Sequence, residues 1–148
     1  KQRGDNLLPG EFHLVVFAFI SNSKGELLIS RRTMNKTYPG FWEITGGAAI
    51  KGDHSQSAVL REIREELGLS LLPEQGKKIG HFRWVGEHSY FADLWHFKAD
   101  IDLEEIECQP EEVSEAKWVR KEEVEKMIEQ GIFIRNDFVL SCLKTLEL

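Results

Sequence analysis

The chain's periodicities predict a mixed α/β fold, with helices packed on a β-sheet, and three observations carry that prediction. Phe12 to Ile20 is almost wholly apolar and rich in β-branched and aromatic residues, as a strand covered on both faces should be. Ala58 to Leu67 repeats its apolar residues at helical spacing, between the N-cap candidates Asp53 and Ser55 and a Gly68 suited to the position past its end. More strand patterns follow, and two helical patterns close the chain.

Taken in order, the first strand leads into the turn cluster Ser21-Asn22-Ser23-Lys24-Gly25, and Leu27 to Arg32 is read as the second strand of a hairpin. A polar loop from Thr33 to Gly40 contains Pro39-Gly40. Phe41 to Thr45 is expected to be a short strand that Gly46-Gly47 breaks. After the helix, strands are expected at Lys78 to Val85, Tyr90 to Ala99 and Val113 to Val119. A helix from Lys121 to Gln130 stops at Gly131, and Asn136 or Asp137 caps a last one running to Leu146.

A length of 148 residues fits one domain over 1–148. A hydrophobic share of 41% is enough for a packed core and excludes a disordered chain. Against 25 acidic residues stand 19 basic ones, and this net −6 argues against a protein that grips extended nucleic acid through a basic surface. It leaves room for a small phosphorylated substrate held through a metal ion. Cys108 and Cys142 have neither zinc-site nor disulfide-scaffold spacing. The longest apolar run, Leu14 to Ile20, is far too short to span a membrane. A reduced, cytoplasmic protein is the expectation, with native residues missing before Lys1.

The chemistry is concentrated on the Ala58–Leu67 helix. At about 100° per residue, Val59, Leu60, Ile63 and Leu67 form the buried stripe, while Glu62, Glu65 and Glu66 share a neighbouring arc. Each like-charge pair on that arc costs roughly 0.2–0.5 kcal/mol. A hard divalent cation removes the penalty, since Mg²⁺ takes oxygen ligands and keeps waters for substrate phosphates to replace. A bare pattern of this kind also describes an ordinary solvated helix face, so the residues around it decide.

Counting from Gly47, five residues lead to Asp53 and seven more to Arg61, where Arg61-Glu62-Ile63-Arg64-Glu65-Glu66-Leu67-Gly68-Leu69 begins. This resembles the Nudix box, in which glycine, five residues, glutamate and seven residues precede Arg-Glu-U-x-Glu-Glu-x-Gly-U, with U a bulky aliphatic. The one departure is Asp53 in place of glutamate. The resemblance implies an α/β/α sandwich around a mixed sheet and Mg²⁺- or Mn²⁺-dependent hydrolysis of a diphosphate linkage, commonly in a nucleoside diphosphate compound. It also implies that Glu62, Glu65 and Glu66 bind the metal and carry catalysis, with the Gly46 carbonyl as a further ligand. By the same resemblance Arg61 orients Glu65, and Asp53 supports that arrangement.

Outside the box, Arg31, Arg32 and Lys36 are candidates for substrate phosphate, and Glu111, Glu112 and Glu115 for an additional loop acid. Trp42, Trp84, Trp95, Tyr38 and Phe82 include candidates for base stacking. Trp42 and Trp118 are read as packing, while Trp84 and Tyr38 are left open. Glu11-Phe12-His13-Leu14 also resembles the isopentenyl-diphosphate isomerase branch. Those enzymes need a cysteine and a further histidine where Gly46 and Ala48 stand, so His13 is read as a core or supporting residue. Hydrolysis is thus preferred to isomerisation and to diphosphate binding without turnover. The expected partner is a small diphosphate substrate, without membrane or extended nucleic acid, and the chain itself is expected to be a monomer or homodimer.

Overall fold

A computed structural model describes residues 13–148, so the start of the expected first strand at Phe12, the Glu11-Phe12 part of the isomerase likeness and the segment after Lys1 lie outside the described residues. Strands β1 (His13–Ser21), β2 (Glu26–Arg32), β3 (Trp42–Glu43) and β4 (Thr45–Ala48) precede helix α1 (Ser55–Leu67). Strands β5 (Gly76–Trp84), β6 (Tyr90–Lys98) and β7 (Val113–Arg120) follow, and α2 (Lys121–Glu129) and α3 (Asp137–Thr145) complete the order. The seven strands form one mixed sheet with helices packed on both of its faces, an α/β sandwich.

β1 organises the sheet. It runs parallel to β6 from His13 opposite Tyr90 to Ser21 opposite Lys98, and antiparallel to β4 from Val15 opposite Ala48 to Ala18 opposite Thr45. It meets β2 only at Ser21 opposite Leu27, after which β2 pairs along its length with β7. Alternation along β1 then assigns the two faces. Val16, Ala18 and Ile20 pack with Ala58, Val59, Ile63 and Leu67 of α1, whereas Phe19 joins Val124, Met127, Val139 and Leu143 of α2 and α3 on the other side. Helices cover both faces, so the near-continuous apolar character of β1 is accounted for.

Two expectations are corrected. Gly46-Gly47 do not interrupt regular structure: both belong to β4, opposite Phe17 and Val16, and the expected Phe41–Thr45 strand divides into β3 and β4. Glycine is required there by close approach rather than by a turn. A Cβ on Gly46 would lie 2.6 Å from the Phe17 ring and 2.7 Å from the Val16 carbonyl oxygen. The α1 N-cap is His54, neither Asp53 nor Ser55. Its imidazole accepts from the Ser57 amide at 3.3 Å while the Ser57 hydroxyl accepts from the His54 amide at 2.9 Å. Ser55 instead begins the helix and accepts the Trp95 indole N–H at 2.9 Å, fixing the first turn to β6. Gly68 closes α1 in the left-handed conformation, as expected.

Candidate active site

A cleft of about 430 Å³ opens between α1, β4 and the loops that follow β2 and precede β7. Its lining includes Glu62, Glu65 and Glu66 from α1, Gly46, Gly47 and Ala48 from β4, Glu43 and Ile44, Arg32 at the end of β2, and Lys36, Gln109 and Glu112 from the loops. The stripe that buries Val59, Ile63 and Leu67 turns the neighbouring arc of α1 toward β4, and this brings the three glutamates to the cleft. Gly47 makes the approach possible, since a Cβ there would stand 2.4 Å from the Glu62 carboxyl carbon.

Arg61 organises the acids. Its guanidinium donates to Asp53 Oδ2 at 2.9 Å, Glu62 Oε1 at 3.1 Å, Glu65 Oε2 at 3.2 Å and the Ala48 carbonyl at 3.2 Å. Asp53 in turn accepts from the Ile50 amide and the Ser57 hydroxyl. Burial would raise the Asp53 carboxyl, but these hydrogen bonds and Arg61 outweigh it and hold the group below its ordinary value. Arg61 thus touches both Glu62 and Glu65 as well as the predicted support, Asp53.

Glu66 is placed differently. It is 9% exposed, and the Gly46 amide donates to its Oε1 across 3.4 Å. Burial first, then the charges of Glu62, Glu43 and Glu112, push its carboxyl up to about 8. Glu43 is raised as well, chiefly by burial, although Arg32 lies 3.2 Å away. The contact at Gly46 is made by its N–H, whereas its carbonyl was the expected ligand atom.

The other candidates separate into those in the cleft and those beside it. Arg32 and Lys36 line it, Arg32 bound to Glu43 and Lys36 to Glu112. Arg31 lies outside, over the Trp42 ring and 3.3 Å from Glu115. Of the loop acids only Glu112 enters the lining, while Glu111 and Glu115 are exposed beside it. Trp42 is buried and Trp118 half-buried, its indole N–H donating to the Ile101 carbonyl at 3.0 Å, so both pack. Trp95 is buried, Phe82 stacks on Phe138, and Trp84 and Tyr38 are exposed. His13 is half-buried at the start of β1, in a small apolar recess with His88 and Tyr90 that shares Val15 and Ala48 with the cleft.

Sequence reasoning missed Glu43 and Gln109. Glu43 was legible, because Trp42 and Ile44 both turn into the core and strand alternation sends the residue between them the other way. Gln109 carried no such signal, since its place depends on its amide bonding the Glu66 carbonyl at the end of α1.

Five carboxylates and three basic side chains face this cleft. The donors are hard oxygens and the surplus is negative, which is the composition a divalent cation such as Mg²⁺ fits. Among the described residues no three His, Cys, Asp or Glu side chains already converge at ligand distance, and Glu62 and Glu65 rest on Arg61 instead. No helix among the described residues is long and apolar enough to cross a membrane.

The proteins that share this arrangement and resemble the chain in sequence are hydrolases acting on pyrophosphate bonds. The chain belongs to the Nudix family, whose NUDIX domain model it matches over residues 11–138. It is 40% identical over 136 residues to an uncharacterized Nudix hydrolase of Listeria monocytogenes, covering 89% of this chain and 78% of that one. It is 30% identical over 128 residues to an RNA pyrophosphohydrolase of Erythrobacter litoralis, covering 74% and 76%. The crystal structure of DR0079 from Deinococcus radiodurans superposes with a TM-score of 0.74 at 25% identity, covering 98% of this chain and 89% of that one.

Proposed function

We propose that this chain is a Mg²⁺- or Mn²⁺-dependent pyrophosphohydrolase that cleaves the diphosphate linkage of a small phosphorylated compound, with a nucleoside diphosphate as the favoured class. The observation that carries the reading is the surplus of carboxylates facing one cleft, with Glu66 disfavoured as an anion until positive charge arrives. The name of the Erythrobacter litoralis relative is consistent with cleavage of a phosphoanhydride.

In this reading Glu62, Glu65, Glu66 and the Gly46 carbonyl hold the cation. When bound, it supplies charge neutralisation and a polarised water, the two things phosphoanhydride hydrolysis most requires. Arg61 keeps Glu62 and Glu65 oriented through its bond to Asp53. Arg32 and Lys36 exchange their carboxylate partners for substrate phosphate oxygens, and Glu112, released from Lys36, becomes free to accept a proton. The isomerase alternative has Gly46 where its acid would stand, so protonation of an alkene lacks a donor there.

The test is a hydrolysis screen over phosphorylated metabolites with Mg²⁺ and Mn²⁺, run beside Glu65→Gln and Glu66→Gln. Turnover by the parent chain and its loss in both variants is expected. Near-normal turnover in both variants would overturn the assignment.

A further inference from the structure

Tyr38 is the one described residue other than glycine with a positive φ, at 51°. For a bulky side chain this left-handed conformation is strained, and such strain persists only where the surroundings over-determine it. They do so here. Arg32 donates to the Thr37 carbonyl at 2.7 Å and to its hydroxyl at 3.0 Å, and Arg31 donates to the Gly40 carbonyl at 2.9 Å. The Phe41 amide reaches back to the Tyr38 carbonyl at 3.2 Å, closing the Pro39-Gly40 turn. Two guanidinium groups therefore fix the backbone on either side of one residue.

The ring so displayed is 63% exposed and meets Phe41 edge-on, with ring centroids 5.5 Å apart. It adds little to the core, and a glycine would adopt this backbone with less strain. Its position is not remote from the chemistry. Lys36, two residues before it, lines the cleft, and the Arg32 that grips Thr37 also grips Glu43 inside the cleft. Tyrosine is well suited to such a place, because a rigid amphipathic ring offers contact area while losing few rotamers.

We infer that Tyr38 is a specificity-determining residue, held next to the part of the cleft lined by Lys36 and Arg32 to stack on a planar ring carried by the substrate. The inference rests on the proposed function for the location of the phosphates, and it adds the side chain that reads what is attached to them.

The test measures binding as well as turnover. Calorimetric titration with adenosine 5′-monophosphate and with ribose 5-phosphate compares two ligands of equal phosphate charge, with and without the ring. The parent chain is expected to prefer the former by about tenfold, the size of one ring stack. Tyr38→Ala and Tyr38→Gly should abolish the preference, and Tyr38→Phe should retain it. In turnover, Tyr38→Gly should raise KM for a ring-bearing diphosphate about tenfold with kcat unchanged. Its thermal midpoint should be equal to or above the parent's, since the strain is relieved. No preference in the parent, or a preference that survives Tyr38→Ala, overturns the inference. Failure of every diphosphate to turn over would instead remove the proposed function, leaving the two-ligand comparison to decide on Tyr38.

Discussion

Asp53 Oδ2 lies 2.9 Å from Arg61 Nη2, although aspartate is a methylene shorter than the glutamate of the Nudix box at this position. The shortfall is made up by the chain, because the turn that brings the Ile50 amide to Asp53 also draws its carboxylate in toward α1. Asp53→Ala should therefore release a guanidinium that also holds Glu62 and Glu65. A stability loss of about 2 kcal/mol is expected, the scale of a hydrogen bond to a charged group. Urea unfolding measures it, and activity should fall with it while Asp53→Glu retains both.

The two glycines of β4 should behave differently. On Gly47 a new methyl would meet the Glu62 side-chain carboxylate, whereas on Gly46 it would meet the Phe17 ring and the Val16 backbone. Gly47→Ala is expected to reduce kcat about tenfold or more with little change in thermal midpoint, because only a side chain must swing. Gly46→Ala should destabilise the fold by about 1–3 kcal/mol, as overpacking of a core does. Equal thermal midpoints for the two variants would refute this division.

Glu66→Gln separates activity from stability in the opposite sense. The carboxyl is buried among other acids and held up to about 8, so an uncharged isostere suits its surroundings. Turnover should drop about a hundredfold or more, as when a group stabilising transition-state charge is removed. The unfolding midpoint at neutral pH should be unchanged or higher.

Acid should weaken the fold through Asp93. This carboxylate is almost fully buried, and although burial alone would raise it, the Ser55 hydroxyl, His81 and Lys78 outweigh burial and leave it below its ordinary value. The unfolded chain therefore takes up this proton first. The stabilisation is complete above about pH 4, the ordinary aspartate value, and is lost as pH falls through the lower folded value. His96, buried against Ser21 at 2.7 Å and lowered chiefly by burial and then by Lys98 and Lys77, adds an earlier loss. Its contribution starts to disappear below about pH 6.5. Unfolding free energies between pH 3 and 7 should show both declines, and Asp93→Asn should remove the more acidic one.

The extent of what could be read beforehand follows from how local each cause is. The α1 stripe, its acid arc and its Gly68 terminus are set by spacing along one helix, and all three are present in the structure. The near-continuous apolar run likewise marked β1 as covered on both sides. The N-cap was misplaced because three consecutive polar candidates compete there, and Trp95, distant in sequence, occupies Ser55. The strand character of Gly46-Gly47 could not be read from glycine propensity, since it depends on what β1 and α1 bring against them. Arg31 and Arg32 are neighbours of identical chemistry, and only the side to which a strand turns each one sends Arg32 alone to the cleft. The backbone conformation of Tyr38 has no counterpart in composition or period at all.

Helix α1 is tethered at both ends, at Ser55 by the Trp95 indole and past Leu67 by the Glu107 amide bonded to the Leu67 carbonyl. A rod held in this way can neither slide nor roll by one residue, so the register between its acids and the glycine strand is set when the protein folds. In the proposed reading, a cation would be met by rotation of the acid side chains, with the helix that carries them already in place.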